Sequence, residues 1–143
     1  MAHDAVVDGI YYNLDTTNKT AAVTFRGEDH KSYYGEYAGS ITIPASFIYN
    51  SGIYRVISIG YWAFYNCDGL TSVDVGNNVT SIGERAFDGC DGLTSVIIGN
   101  SVVSIGVEAF YDCDVLASVT IGNNVASIGN GAFYGCRKLA SVI

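Results

Sequence analysis

Between Leu70 and Leu139 one phrase recurs at a fixed step. Leu70-Thr-Ser-Val-Asp-Val-Gly opens a unit, Leu93-Thr-Ser-Val-Ile-Ile-Gly the next, Leu116-Ala-Ser-Val-Thr-Ile-Gly a third, and Leu139-Ala-Ser-Val begins again, always 23 residues on. The second half of each unit repeats as strictly: Val79-Thr-Ser-Ile-Gly-Glu-Arg-Ala-Phe-Asp-Gly-Cys90 returns from Val102 to Cys113 and from Val125 to Cys136. A period of this size, opened by leucine and followed by aliphatic residues two or three apart, is the mark of a solenoid whose units stack one on the next. No unit holds an element long enough to be stable alone, so each must bury its apolar positions against its neighbours.

Within a unit, Val73-Asp-Val75 alternates as a strand, and Gly76-Asn77-Asn78 supplies the turn that ends it. Val79 to Ile82 reads as a second short extended piece closed by Gly83, and Glu84 to Cys90 as a helical or 3₁₀ turn. The expected fold class is therefore a mainly β solenoid, a right-handed coil of 23-residue leucine-rich units with an N-terminal β-hairpin cap. Residues 1–40 form the expected cap: Gly9-Ile-Tyr-Tyr-Asn-Leu14 and Thr20-Ala-Ala-Val-Thr-Phe25 flank a polar loop and stand outside the period. Residues 41–143 form the expected solenoid. Ile43 matches Val75 at a separation of 32 rather than 23, which places an inserted hairpin near 45–55 with its turn at Asn50-Ser51-Gly52.

The 143 residues are 49% hydrophobic, enough to build one domain's core, and no apolar run approaches the roughly 18 residues of a membrane helix. With 14 acidic residues against 7 basic ones, the net charge of −7 opposes binding to nucleic acid or anionic lipid. Met1-Ala-His-Asp-Ala-Val-Val-Asp8 lacks the basic and apolar regions of a signal peptide, so the protein is expected to be intracellular or to have lost an export signal.

The motifs Ser81-Ile-Gly-Glu-Arg-Ala-Phe-Asp-Gly-Cys90 and Leu93-Thr-Ser-Val-Ile-Ile98 resemble those of the BspA-like, or Treponema pallidum type, leucine-rich repeats. The resemblance covers about residues 41–143, and Asp8-Gly-Ile-Tyr-Tyr12 with Ile41-Thr-Ile-Pro44 looks like the cap of such proteins from gut and oral Bacteroidetes. It implies a cell-surface or secreted protein adhesive toward host or neighbouring-cell proteins, and defines no universal binding residues. In that family proline commonly follows the strand. Here only Pro44 does so, and Gly76, Gly99 and Gly122 take its place.

Stacking turns each repeated position into a column. Cys67, Cys90, Cys113 and Cys136 make an inward one, expected to hold free buried thiols rather than disulfides or a metal. Asp68, Asp91 and Asp114, closed by Arg137, make a solvated acidic edge, with calcium as the alternative. Two columns are candidate binding surfaces. Tyr65, Tyr111 and Tyr134, interrupted by Asp88, offer large contact area at low entropic cost. Ser72, Ser95 and Ser118, with Ile97 and Thr120 two residues on, form an outward face of small, nearly uncharged side chains. Arg85 and Glu108, at equivalent places on successive turns, are able to pair.

His3 and His30 lie in the cap, the cysteines point inward, and no phosphate loop, metal motif or nucleophile elbow is written here, so neither catalysis nor a cofactor is expected. The expected partner is an extracellular or cell-surface protein. The strand at Leu139 suggests self-association through a C-terminal edge. A spacer or scaffold role is the alternative reading.

Overall fold

The computed structural model describes residues 3–27 and 37–142; residues 28–36 of the expected cap, His30 among them, lie outside the described residues. Two sheets run along the stack. The first begins with an antiparallel meander, β1 (Ala5–Val7), β2 (Ile10–Asp15) and β3 (Thr20–Thr24), in which Tyr12 faces Val23 across the β2–β3 hairpin. Asp15 closes that hairpin, its carboxylate accepting bonds from the amides of Thr17 and Asn18. Beyond β3 the direction of pairing changes: β6 (Gly52–Ile59) runs parallel to β3, and β8 (Ser81–Ile82), β10 (Ser104–Ile105) and β12 (Ser127–Ile128) follow in parallel. The second sheet is wholly parallel, in the order β13 (Ser141–Val142), β11 (Ser118–Thr120), β9 (Ser95–Ile97), β7 (Leu70–Asp74) and β4 (Gly39–Thr42).

Registers follow the period. Ser72 faces Ser95, and Ser95 faces Ser118, each 23 residues on. At the first coil Ile41 pairs with Val73, an offset of 32. The extra residues form β5 (Ser46–Tyr49), antiparallel to β6 across a two-residue turn in which Asn50 (φ 47°) and Ser51 (φ 63°) are both left-handed. That is the hairpin geometry whose twist suits the strands it joins.

The segment expected as a helical or 3₁₀ turn, Glu84 to Cys90, forms no helix but a run of turns, each closed by a bond between residues three apart. Its amides alternate in destination: those of Arg85, Phe87 and Gly89 donate to the carbonyls of Val107, Ala109 and Tyr111 on the next coil, while those of Ala86, Asp88 and Cys90 close turns on Gly83, Arg85 and Phe87. A helix would spend every amide within the segment. Left-handed backbone at Arg85 (φ 53°) and Gly89 (φ 73°) rotates alternate amides outward and so converts each coil's third side into a further intercoil ladder.

Between the sheets lies one core. Leu70, Leu93 and Leu116 are fully buried, as are Phe64, Phe87 and Phe110, whose rings stack face to face at 4.7 and 4.8 Å with interplanar angles of 3°. Phe133 extends the ladder at 5.3 Å. At the other end Tyr37 lies against Phe64 at 4.6 Å, and its hydroxyl ties the cap together by accepting from the Tyr11 amide and donating to the Thr24 carbonyl. Each thiol from Cys90 on points at the previous coil: Cys90, Cys113 and Cys136 donate to the carbonyls of Phe64, Phe87 and Phe110 at 3.0–3.1 Å. The Cys113 thiol and then burial push the Cys136 thiol up, out of thiolate range.

Gly76, Gly99 and Gly122, which follow the strands, have a packing reason. A Cβ at Gly99 would lie 1.9 Å from the Gly76 carbonyl oxygen, and one at Gly122 2.6 Å from that of Gly99. Backbone approaches backbone here more closely than any side chain permits.

Candidate functional site

Four columns of the stack carry the candidate residues. On the outer face of the second sheet, Ser72 and Ser95 are half-buried, and Ser118, Ile97 and Thr120 are exposed. The Ser72 hydroxyl donates to that of Ser40 at 2.8 Å, and Ile97 stands 51% exposed between Asp74 and Thr120. The face is regular and carries one charge, Asp74, whose carboxylate is occupied by the Gly76 amide.

The tyrosines lie on the turn side of the coils. Tyr111 and Tyr134 stack ring on ring at 5.2 Å with an interplanar angle of 13°, and Tyr134 is 64% exposed. Tyr65 does not join them, because Asp88 occupies the intervening level; it packs edge-on against Trp62 at 4.8 Å instead. What bridges the gap is Arg85. Its guanidinium lies over the Trp62 ring at 5.2 Å on one side and the Tyr111 ring at 5.7 Å on the other, and it pairs with Asp88 at 3.2 Å and with Glu108. The expected Arg85–Glu108 pair therefore exists, within a larger cluster that also takes up two aromatic faces and a second carboxylate. Trp62, Arg85, Tyr111 and Tyr134 make one continuous strip across four successive coils.

Left-handed backbone positions Trp62 and Arg85 of this strip. Trp62 (φ 60°), Arg85 (φ 53°), Glu108 (φ 53°) and Gly131 (φ 64°) fall in one column, and all are left-handed. For a residue with a Cβ that conformation costs about 1–2 kcal/mol. It is held because the amides of Trp62, Arg85 and Glu108 bond to the coil above. Such strain collects where a fold aims side chains at a task. Sequence reading aligned Arg85 with Glu108 but missed Trp62 and Gly131, whose chemistries differ, although a spacing of 23 places them in the same column.

Carboxylates dominate the surrounding field. Burial, then repulsion from Asp112 and Glu108, raises the Asp88 pKa against the opposing pull of Arg85. Burial and the neighbouring Asp68 and Asp114 raise that of Asp91. Arg137 approaches Asp114 at 4.0 Å and relieves the end of that column. Asp112 first, then slight burial and Tyr134, raises the Tyr111 pKa. Among the described residues no group of three or more His, Cys, Asp and Glu side chains is placed to hold a metal, and no helix is long and apolar enough to cross a membrane. Cavities of about 480 and 410 Å³ lie between the β1–β2 turn and the first coil, sharing Asp8, Ile10 and Thr42, and include none of the expected binding residues.

Known structures show the same architecture. A leucine-rich repeat protein from Bacteroides capillosus is 30% identical, with a TM-score of 0.80 over 96% of this chain and 95% of that one. One from Bacteroides ovatus is 30% identical with a TM-score of 0.64; 98% of this chain aligns, spanning 41% of that protein. The T. pallidum leucine rich repeat protein is 26% identical with a TM-score of 0.59, over 97% of this chain and 70% of that one. No curated protein matches the sequence significantly. The profile of the BspA type leucine rich repeat region matches residues 29–143 in six copies. With its stacked 23-residue coils and parallel ladders, this chain belongs to the BspA-type leucine-rich repeat family.

Proposed function

We propose that this chain is a non-enzymatic binding module that attaches to a protein at a cell surface or outside the cell, and that it does so through the aromatic strip. The observation that carries this reading is the strip itself: Trp62, Arg85, Tyr111 and Tyr134 aligned over four coils, with Trp62 and Arg85 on left-handed backbone. Rigid aromatic rings and arginine are the residues that most often anchor protein interfaces. The serine face offers regularity but one large apolar side chain, Ile97, and no fixed cation. The test is capture from a panel of extracellular-matrix and cell-surface proteins, comparing the wild type with Tyr111→Ala and Ile97→Asp. Loss of capture on Tyr111→Ala alone supports the strip. Loss on Ile97→Asp alone moves the site to the serine face, and no capture by the wild type refutes adhesion.

A further inference from the structure

The seam between the cap and the first coil brings together residues that the repeat leaves unexplained. The β1–β2 hairpin turns on Asp8 (φ 49°) and Gly9 (φ 80°), the two residues between the paired Val7 and Ile10. Asp-Gly suits such a turn because both of its positions are left-handed. The turn sets Asp8 where the two cavities of the seam meet. The cavity of about 410 Å³ is a mostly apolar chamber, with Val7, Ile10, Pro44, Phe47 and Ile48 on its walls. The other, of about 480 Å³, is a more polar cleft that runs past Gly9, Ser40 and Thr42. Tyr12 also borders the chamber. It is wholly buried, its ring lies against Phe47 at 4.3 Å, and its hydroxyl has no hydrogen-bond partner among the described residues. Buried polar atoms without a partner are rare, and each calls for a reason. Burial first, then Asp8, hold the Tyr12 pKa well above its ordinary value, so the group stays a neutral hydroxyl with an oxygen free to accept.

We infer that this seam binds a primary ammonium carried on an apolar group, the ammonium at Asp8 and the apolar group in the chamber beside Phe47. An ammonium has N–H bonds to place on more than one acceptor: the Asp8 carboxylate takes the charge, and the Tyr12 oxygen is the second acceptor. Charge complementarity selects the occupant. Asp8 is the one charged residue among the described walls of either cavity, and the chain's net charge is −7, so a carboxylate is repelled and a cation drawn in. Cavities of a few hundred cubic ångströms admit a small molecule or a chain end rather than a folded surface. Two sources share this chemistry, a free arylalkylamine and the first residue of a peptide. In the second case the peptide leaves along the polar cleft past Ser40 and Thr42. No residue of the aromatic strip borders the seam, so the inference stands apart from adhesion through that strip.

Phenylethylamine, phenylethanol and phenylpropanoate, titrated against the full chain by calorimetry, provide the test, since they differ chiefly in the polar end. The amine binds about tenfold tighter than the alcohol, as a charge-assisted bond exceeds a neutral one, and the carboxylate does not bind. Asp8→Asn keeps a residue that tolerates left-handed backbone and removes the preference for the amine. Tyr12→Phe weakens amine binding roughly threefold without lowering the melting temperature, because the atom it deletes bonds no other residue. Phe-Gly-Gly amide separates the two sources. Binding tighter than that of phenylethylamine, and lost on N-acetylation, assigns the seam to a peptide amino terminus; equal binding assigns it to a small amine. Equal affinity for amine and alcohol, no binding of any amine, or an amine affinity unchanged in Asp8→Asn overturns the inference, the last because attraction by net charge alone would give that result.

Discussion

Replacing Phe87 by alanine should be among the costliest single changes available to this protein, and the structure says by how much it should exceed the same change at Phe133. Phe87 is wholly buried and has a parallel ring on each side, at 4.7 and 4.8 Å. Deleting a buried phenylalanine side chain costs about 3–5 kcal/mol through lost transfer and a residual cavity. Each aromatic pair adds about 0.5–1.5 kcal/mol beyond burial, and two are lost here, so the upper part of that range applies. The sheets on either side are held by ladders and cannot collapse into the gap. Phe133 is half-buried and has one described ring neighbour, Phe110 at 5.3 Å, so Phe133→Ala should cost about half as much, roughly 2 kcal/mol. At about 3–4 °C per kcal/mol for a chain of this length, melting temperatures fall by about 12–18 °C for Phe87→Ala and about 6–8 °C for Phe133→Ala. Thermal and guanidinium unfolding followed by circular dichroism measure both, and Phe87→Leu, which keeps most of the apolar volume, isolates the ring contribution. Equal costs at the two positions, or less than about 1 kcal/mol at Phe87, would show that the ladder does not hold the coils together.

Other perturbations follow from the same geometry. Gly106→Ala places a Cβ 2.6 Å from the Glu84 amide nitrogen and 2.7 Å from the Gly83 carbonyl carbon; forcing two backbones apart costs about 1–3 kcal/mol, read as a lower guanidinium midpoint, and an unchanged midpoint would refute the close approach. At Arg85, glycine should be better tolerated than alanine by about 1 kcal/mol, because both remove the cation but only glycine relieves the left-handed backbone; chemical denaturation of the two variants decides, and alanine equal to or better than glycine would deny the strain. Asp91 has a raised pKa, so its protonated form is favoured by folding: the associated stability is present at low pH and is lost as pH rises through the raised value. Asp91→Asn is therefore stabilising at pH 7, by a few tenths of a kcal/mol once solvent screening is allowed for, with the gain vanishing as pH falls below the ordinary aspartate range. A gain that grew on acidification would reverse the assigned sign.

Much of the architecture was legible because a strict period converts sequence directly into columns. Val73, Val96 and Val119 had to share a face, and the leucine, phenylalanine and cysteine columns had to point inward, once coils were known to stack. From Glu84 to Cys90 the expectation left a helical and a 3₁₀ turn open, because apolar spacing alone does not separate a helix from successive turns. Left-handed φ at Arg85, a residue type with no preference for it, leaves no trace in composition.

The binding surface divides in the same way. Equal spacing already aligned Tyr111 with Tyr134, and Arg85 with Glu108, since any repeat that stacks must superpose those positions. It could not place Arg85 between the rings of Trp62 and Tyr111, nor turn Tyr65 away onto Trp62, because these outcomes depend on side-chain direction at strained backbone and on which neighbour fills each level. By itself, then, the sequence determined the coil, its period, its inward columns and the excess of acid on its surface. Only the tertiary structure decided which of those columns touch and how the third side of each coil is hydrogen-bonded, since distances between residues 23 apart are set by packing and backbone geometry together.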